Sequence, residues 1–155
     1  MSSQPASVRF GHVSVVARDW RALADYYIAV FGCVVVPPER DYSGEDLARG
    51  TGVPGAALRG AHLRLPGLGD DGPTLEIYQY AEPADRLPTA ANRLGLAHTA
   101  FVVPDVASAR DAALTAGGRA VGEIVTLTTA TGRRVTWCYV TDPEDNIVEL
   151  QAWSD

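Results

Sequence analysis

The chain has 155 residues, of which 46% are hydrophobic, so it is long enough for one compact domain and too short for two ordinary ones. Its 19 acidic and 13 basic residues give a formal net charge of −6, without a Lys or Arg cluster that could follow a phosphate backbone. No apolar run reaches the roughly 18 residues of a membrane span. Neither nucleic acid nor a membrane is therefore an expected partner.

Two features of the sequence concern the cellular compartment. The first seven residues, MSSQPAS, lack the basic and apolar regions of a signal peptide, which predicts a cytoplasmic location. The cysteines, Cys33 and Cys138, lie far apart without a CxxC pairing. We therefore expect two buried thiols rather than a disulfide or a zinc knuckle.

An internal repeat organises the predicted elements, because residues 11–36 align with residues 97–122. Each copy opens with a small residue and a His in an alternating strand, and then reaches an Asp that suits a helix start. In the first copy the strand that opens with His12 is followed by a helix at about 20–30 and by strands at about 34–36, 58–67 and 73–81. In the second copy the strand that opens with His98 is followed by a helix at about 106–116 and by strands at about 120–127, 134–142 and 146–153. The order β-α-β-β-β therefore occurs twice.

The two copies are predicted to be modules of one α+β domain. Module one covers about residues 8–81, the Pro- and Asn-containing segment 82–95 is a linker, and module two covers about residues 96–153. Neither module has enough apolar residues for a good core of its own, so we expect them to pack as one unit.

The segment 37–60 is an insertion in module one, and its Gly and Pro content predicts a structured loop or lid with a short helix at Ser43–Arg49. Ser43 is the expected helix start. Tyr42 and Glu45 are candidates for a second acid/base pair, although a surface lid is the favoured interpretation. His62, which follows the insertion, has no counterpart in the repeat and is assigned a structural role.

Four polar residues lie at matched positions on otherwise apolar strands. His12 and His98 occupy the first strand of each copy, and Glu76 and Glu149 occupy the last. Burying two carboxylates in one cleft without a cation costs several kcal/mol. Two imidazoles and two carboxylates suit a divalent metal such as Zn, Ni, Co, Mn or Fe. We therefore predict that the four residues are metal ligands.

Several motifs resemble the vicinal oxygen chelate superfamily, which comprises glyoxalases, bleomycin-resistance proteins and dioxygenases. They are GHVSVVARD, LEIYQY, LAHTAFVVPDV and YVTDPEDNIVEL, and the likeness extends from Phe10 to Trp153. Glu144 and Asn146 depart from the closing signature of the family, and Asn146 is expected to take the left-handed turn conformation. The resemblance implies two βαβββ modules in tandem that form a curved, partly closed mixed sheet around a cleft.

The resemblance also implies a chemistry. Dioxygenases of the superfamily use two His and one Glu, whereas glyoxalase I and a related epimerase have a fourth ligand, the position of Glu76. This favours a metal-dependent lyase or isomerase that moves a proton next to a carbonyl of a small molecule, with Glu149 or Glu76 as the base. A metal-free bleomycin-resistance protein and an extradiol dioxygenase are the alternatives, and a homodimer is expected. The candidate pocket residues are Tyr78, Phe101, Trp137, Tyr139 and Glu45.

Overall fold

The computed structural model describes residues 8–155, so the segment examined for a signal peptide lies outside the described residues. Within this range, no helix is long and apolar enough to cross a membrane. The elements of the first repeat copy are β1 (His12–Val16), α1 (Trp20–Phe31), β2 (Val34–Ser43), α2 (Glu45–Thr51), β3 (Ala57–Arg64) and β4 (Thr74–Tyr80). Those of the second are β5 (Thr99–Val102), α3 (Val106–Thr115), β6 (Arg119–Ala120), β7 (Val125–Thr128), β8 (Arg134–Thr141) and β9 (Ile147–Ser154).

The strands form two mixed sheets, which confirms the α+β class. The first sheet has four strands in the order β1-β4-β3-β2, and the second has five, with β5-β9-β8-β6 in line and β7 also paired to β8. In both sheets the first strand of the repeat is parallel to the last, and the remaining pairs are antiparallel. The repeat detected in the sequence is therefore a repeat of topology.

The chain divides into two compact units. Among the described residues, one unit contains residues 8–20 together with Cys33–Glu82, and the other contains Arg21–Gly32 together with Pro83–Asp155. Most of helix α1 therefore belongs to the second unit, where the Tyr27 hydroxyl donates to Asp142 Oδ2 at 2.9 Å. The ring of Phe31 also stacks on that of Phe101 at a centroid distance of 3.9 Å.

Each sheet has one apolar face, as alternation along its strands requires. The buried residues of that face include Ala61, Leu63, Leu75 and Ile77 in the first sheet and Cys138, Val140, Val148 and Leu150 in the second. Both cysteines are buried free thiols, as predicted. Burial raises the pKa of Cys33 to about 11, so this thiol stays protonated at neutral pH.

The helix ends follow the sequence prediction in most places. The Asp105 side chain accepts a hydrogen bond from the Ser108 N–H at 2.7 Å and so caps α3. Gly32 follows α1 with a φ of 69°. The expected start of α2 at Ser43 is wrong, because Gly44 takes the cap position and no side chain caps this helix.

Three further predictions need correction. Residues 37–43 do not begin a loop, because β2 continues through them after its register shifts between Val36 and Arg40. The single strand predicted at residues 120–127 is instead two short strands, β6 and β7.

The third correction concerns the closing turn, where Asp145, with a φ of 70°, takes the left-handed conformation expected of Asn146. Asn146 instead donates hydrogen bonds from its backbone and its side chain to Asp142, at 3.0 and 2.8 Å. Asp, like Asn, tolerates this backbone region.

Candidate functional site

The first predicted pair, His12 and Glu76, comes together on the first sheet. His12 begins β1 and Glu76 lies on β4, with His12 Nε2 3.3 Å from Glu76 Oε2. Because the strands are parallel, Glu76 is level with Ser14, two residues beyond His12. The Glu76 side chain is 12% exposed and that of His12 51%, so the carboxylate is the more enclosed of the two groups.

The second pair, His98 and Glu149, has the same construction on the second sheet. His98 immediately precedes β5, and its Nε2 lies 2.8 Å from Glu149 Oε2. Glu149 is level with Ala100, again two residues beyond the His. The two pairs are therefore equivalent in register as well as in sequence, since in each unit the His that opens the repeat contacts the Glu of its last strand.

His62 also belongs to the first pair, although the sequence assigned it to structure. It lies opposite Glu76 in the antiparallel β3–β4 hairpin, and its Nε2 is 3.1 Å from Glu76 Oε1. The same Nε2 lies 2.7 Å from the Tyr78 hydroxyl. Glu76 is therefore held between two histidines, with one carboxylate oxygen facing each.

Arg40 completes the polar cluster on this face, with its Nη2 3.4 Å from His62 Nδ1. Burial lowers the pKa of His62; the Arg40 guanidinium and His12 act in the same direction, whereas Glu76 opposes them. Burial, followed by the charge of Glu76, raises the pKa of Tyr78, so its hydroxyl remains protonated at neutral pH.

On the second sheet, aromatic rings accompany the equivalent pair. Tyr139 lies opposite Glu149, at the position that His62 occupies in the first sheet. Its ring centroid is 4.9 Å from that of His98 and 4.9 Å from that of Trp137. Burial and the charge of Glu149 raise the pKa of Tyr139. Tyr139 and Trp137 therefore lie on the same face of the sheet as Glu149.

Phe101 lies apart from this aromatic group, and its place in the substrate pocket stays a prediction. It pairs with Leu150 rather than with Glu149, and therefore lies on the opposite face of the sheet. Its ring stacks instead on Phe31 of α1.

Two other candidates, Tyr42 and Glu45, are exposed at the end of β2 and the start of α2. Their acid/base role stays a prediction. A cavity of about 490 Å³ lies nearby, in the first unit, and is lined by Trp20, Asp41, Ser43, Ala57, Leu58, Arg59, Gln79, Tyr80 and Ala81. None of the four predicted metal ligands lines this cavity.

The two pairs fit a divalent metal in ligand type and spacing. Imidazole nitrogen and carboxylate oxygen are ligands for several divalent ions, and ligands bound at about 2.0–2.2 Å lie roughly 3 Å from their neighbours. The His–Glu distances of 3.3 and 2.8 Å match that spacing. Across residues 8–155, however, no three His, Cys, Asp or Glu side chains are arranged so as to hold a metal ion among themselves.

The family of the protein follows from comparison with a family model. The model described as "Glyoxalase-like domain" matches residues 12–150, nearly the whole chain, from the first histidine of the site to the strand of Glu149. The chain belongs to the glyoxalase-like domain family. This places it in the vicinal oxygen chelate superfamily, as the sequence motifs predicted. The search of curated proteins found no match.

Solved structures of glyoxalase-like proteins share the fold. A glyoxalase family protein from Bacillus cereus is 20% identical with a TM-score of 0.80, and the match covers 100% of each chain. A glyoxylase/bleomycin resistance protein/dioxygenase domain from Frankia sp. is 17% identical with a TM-score of 0.57, covering 97% of this chain and 95% of that one. A glyoxalase/bleomycin resistance protein/dioxygenase family enzyme from Burkholderia phytofirmans is 14% identical with a TM-score of 0.53, and the match covers 92% of this chain and 96% of that one. At these identities the likeness concerns the fold.

Proposed function

We propose that this glyoxalase-like protein is a divalent-metal-dependent lyase or isomerase, similar to glyoxalase I or to an epimerase of the superfamily, that moves a proton next to the carbonyl of a small molecule. The observation that supports this proposal is the pair of His–Glu contacts at equivalent registers of the two sheets. In the proposal His12, Glu76, His98 and Glu149 together supply the ligands of one ion, from one chain or from two.

The proposed roles follow from the chemistry of these side chains. A divalent ion bound by them would act as a Lewis acid toward vicinal oxygens of the substrate. The histidines would hold the ion through Nε2, the atom that each directs at its carboxylate. A carboxylate of Glu76 or Glu149 takes the proton from the carbon beside the carbonyl and returns it; a positioned base of this kind contributes about 10²–10⁴-fold.

Metal analysis tests the ligand set. Protein purified without chelator, or reconstituted with Zn, Ni, Co, Mn or Fe, is expected to hold one ion for each set of four residues. His98→Ala and Glu149→Ala should lose most of this metal, as should His12→Ala and Glu76→Ala. Glu123→Ala, which removes an exposed carboxylate elsewhere, is the matched control. Wild-type protein that holds no divalent ion under any of these conditions would refute the proposal.

Proton transfer has its own test. Candidate carbonyl compounds are incubated with the metal-loaded protein in D₂O, and NMR follows exchange at the carbon beside the carbonyl. Exchange that disappears in Glu76→Gln or Glu149→Gln supports the proposal. Oxygen uptake with a catechol, without exchange in any compound of a broad panel, would instead identify a dioxygenase.

A second candidate function is metal-free binding of an aromatic drug, and the rings of His98, Tyr139 and Trp137 favour it. A net charge of −6 also attracts a cationic ligand. Bleomycin is a suitable probe. Quenching of tryptophan fluorescence that persists with chelator and is lost in Trp137→Phe would support drug binding over catalysis.

A further inference from the structure

We infer that Arg40 and His62 are positioning residues that hold Glu76 in place through a chain of hydrogen bonds. This inference deepens the proposed function, on which its metal-binding part rests. The chain has two contacts: Arg40 Nη2 lies 3.4 Å from His62 Nδ1, and His62 Nε2 lies 3.1 Å from Glu76 Oε1.

The first step concerns the hydrogen atom on His62. A guanidinium has N–H donors and no acceptor, so Nδ1, which faces Arg40, must offer its lone pair. The proton of the imidazole is therefore on Nε2. In the opposite tautomer the Nδ1–H of His62 would face an N–H of Arg40, so two donors would meet. The unprotonated Nε2 would then face the Glu76 carboxylate, so two acceptors would meet.

The second step concerns Glu76. The Nε2–H of His62 is shared between Glu76 Oε1 and the Tyr78 oxygen, at 3.1 and 2.7 Å. Oε1 is therefore held, while Oε2 faces His12 at 3.3 Å. One oxygen is thus anchored and the other remains available, which suits a carboxylate that binds an ion through a single oxygen. Hydrogen bonds behind a ligand of this kind orient it and tune its affinity.

The third step is the contrast between the two sheets. The residue opposite Glu149 is Tyr139, and that strand carries Trp137 where β3 has Gly60. A phenol and a bulky indole therefore replace the imidazole and the glycine of the first sheet. The positioning chain belongs to the first sheet and distinguishes the two carboxylates of an otherwise repeated arrangement.

The tautomer can be tested without any metal. In ¹⁵N-labelled, metal-free protein at pH 7.5, two-bond ¹H–¹⁵N correlation spectra should show His62 protonated at Nε2 and unprotonated at Nδ1. Arg40→Met should allow a population with Nδ1–H to appear. A wild-type His62 protonated at Nδ1 would overturn the inference, as would an unchanged spectrum in Arg40→Met.

Metal affinity tests the effect on Glu76. The dissociation constant for Zn²⁺ should rise about 10–100-fold in His62→Phe, whereas His62→Gln, which keeps an N–H near the Nε2 position, should recover most of the affinity. The control variant is Arg59→Gln. Arg59 lies on β3, the strand of His62, but on the opposite face, where it pairs with Asp41 at 3.2 Å. This variant removes a positive charge near the cluster and should bind zinc like the wild type.

The controls separate a positioning role of His62 from a role in folding. They also distinguish failure of this inference from failure of the proposed function. Thermal unfolding of the metal-free variants should show that His62→Phe and His62→Gln differ less in stability than in zinc affinity. If neither variant changes the affinity, or if glutamine fails to restore it, the inference is wrong. If the wild type binds no metal at all, the proposed function fails, while the NMR experiment still decides the tautomer of His62.

Discussion

At the scale of single residues, Gly60 determines how the polar cluster of the first sheet is built. A Cβ atom at this position would lie 1.9 Å from the Ile77 carbonyl oxygen and 2.7 Å from Tyr78 Cδ1. The missing side chain therefore lets the Tyr78 ring lie against β3, where its hydroxyl reaches His62. The glycine is required for space rather than for an unusual backbone angle.

Gly60→Ala is therefore expected to be destabilising, by about 1–3 kcal/mol, the typical cost of overpacking a tight site. It should also displace Tyr78 and weaken zinc binding through His62. Chemical denaturation measures the stability. Gly122→Ala is the matched control, because a Cβ there meets nothing within 4 Å. Equal stability of the two variants would contradict this account.

The residue scale also shows what made His62 hard to recognise. The repeat was the guide to the site, and the equivalent of His62 in the second copy is a tyrosine, Tyr139. A signal was nevertheless present, because His62 and Glu76 lie equally far from Gly69 in a Gly- and Asp-rich turn. Counting outward from a hairpin turn identifies residues that face each other, and Tyr139 and Glu149 obey the same rule around Glu144.

At the scale of elements, helix α3 shows how a local signal in the sequence specifies a boundary. Hydrogen bonds from the side chain and from the backbone N–H of Ser108 lower the pKa of the Asp105 carboxyl. A folded-state pKa below that of the unfolded chain means that the ionised carboxylate stabilises the fold. This contribution is complete above the unfolded-chain pKa and is lost as the pH falls through the folded-state pKa.

Asp105→Ala should therefore lower the urea midpoint of unfolding at pH 7, and the difference from the wild type should shrink as the pH falls through the acidic range. Asp105→Asn keeps an oxygen acceptor without the charge and should lose less at pH 7. Asp111→Ala, within the same helix, should not lower the midpoint. A loss in Asp105→Ala that is the same at every pH would show that the ionised cap does not contribute.

Elements with weaker local signals were predicted less well. The segment after Pro37 looked like a loop because of its prolines, yet β2 continues to Ser43 by pairing with β3 across an irregular register. The partner strand supplies hydrogen bonds that local propensity does not anticipate. The acidic first turn predicts helix α2, and the helix forms, but its N-cap is Gly44, one residue after Ser43.

At the scale of the whole molecule, the prediction concerns the oligomeric state. We expect a homodimer, because the sequence resembles a superfamily whose members commonly form homodimers. Sedimentation equilibrium should give a mass twice the 16.5 kDa of one chain. Mixing His98→Ala with His12→Ala then shows whether metal binding is restored by exchange of chains. A single-chain mass at all concentrations would contradict the homodimer.

The sequence by itself determined the internal repeat, the α+β class and the matched positions of His12, Glu76, His98 and Glu149, because hydrophobic alternation and a repeat can be read along the chain. Only the tertiary structure decided that His62 and Arg40 join Glu76, that Phe101 faces away from Glu149, and that most of α1 packs within the second unit. These results depend on strand register and on contacts between segments distant in sequence. Such contacts are selected by the free energy of the packed fold, and the pattern of any one segment does not specify them.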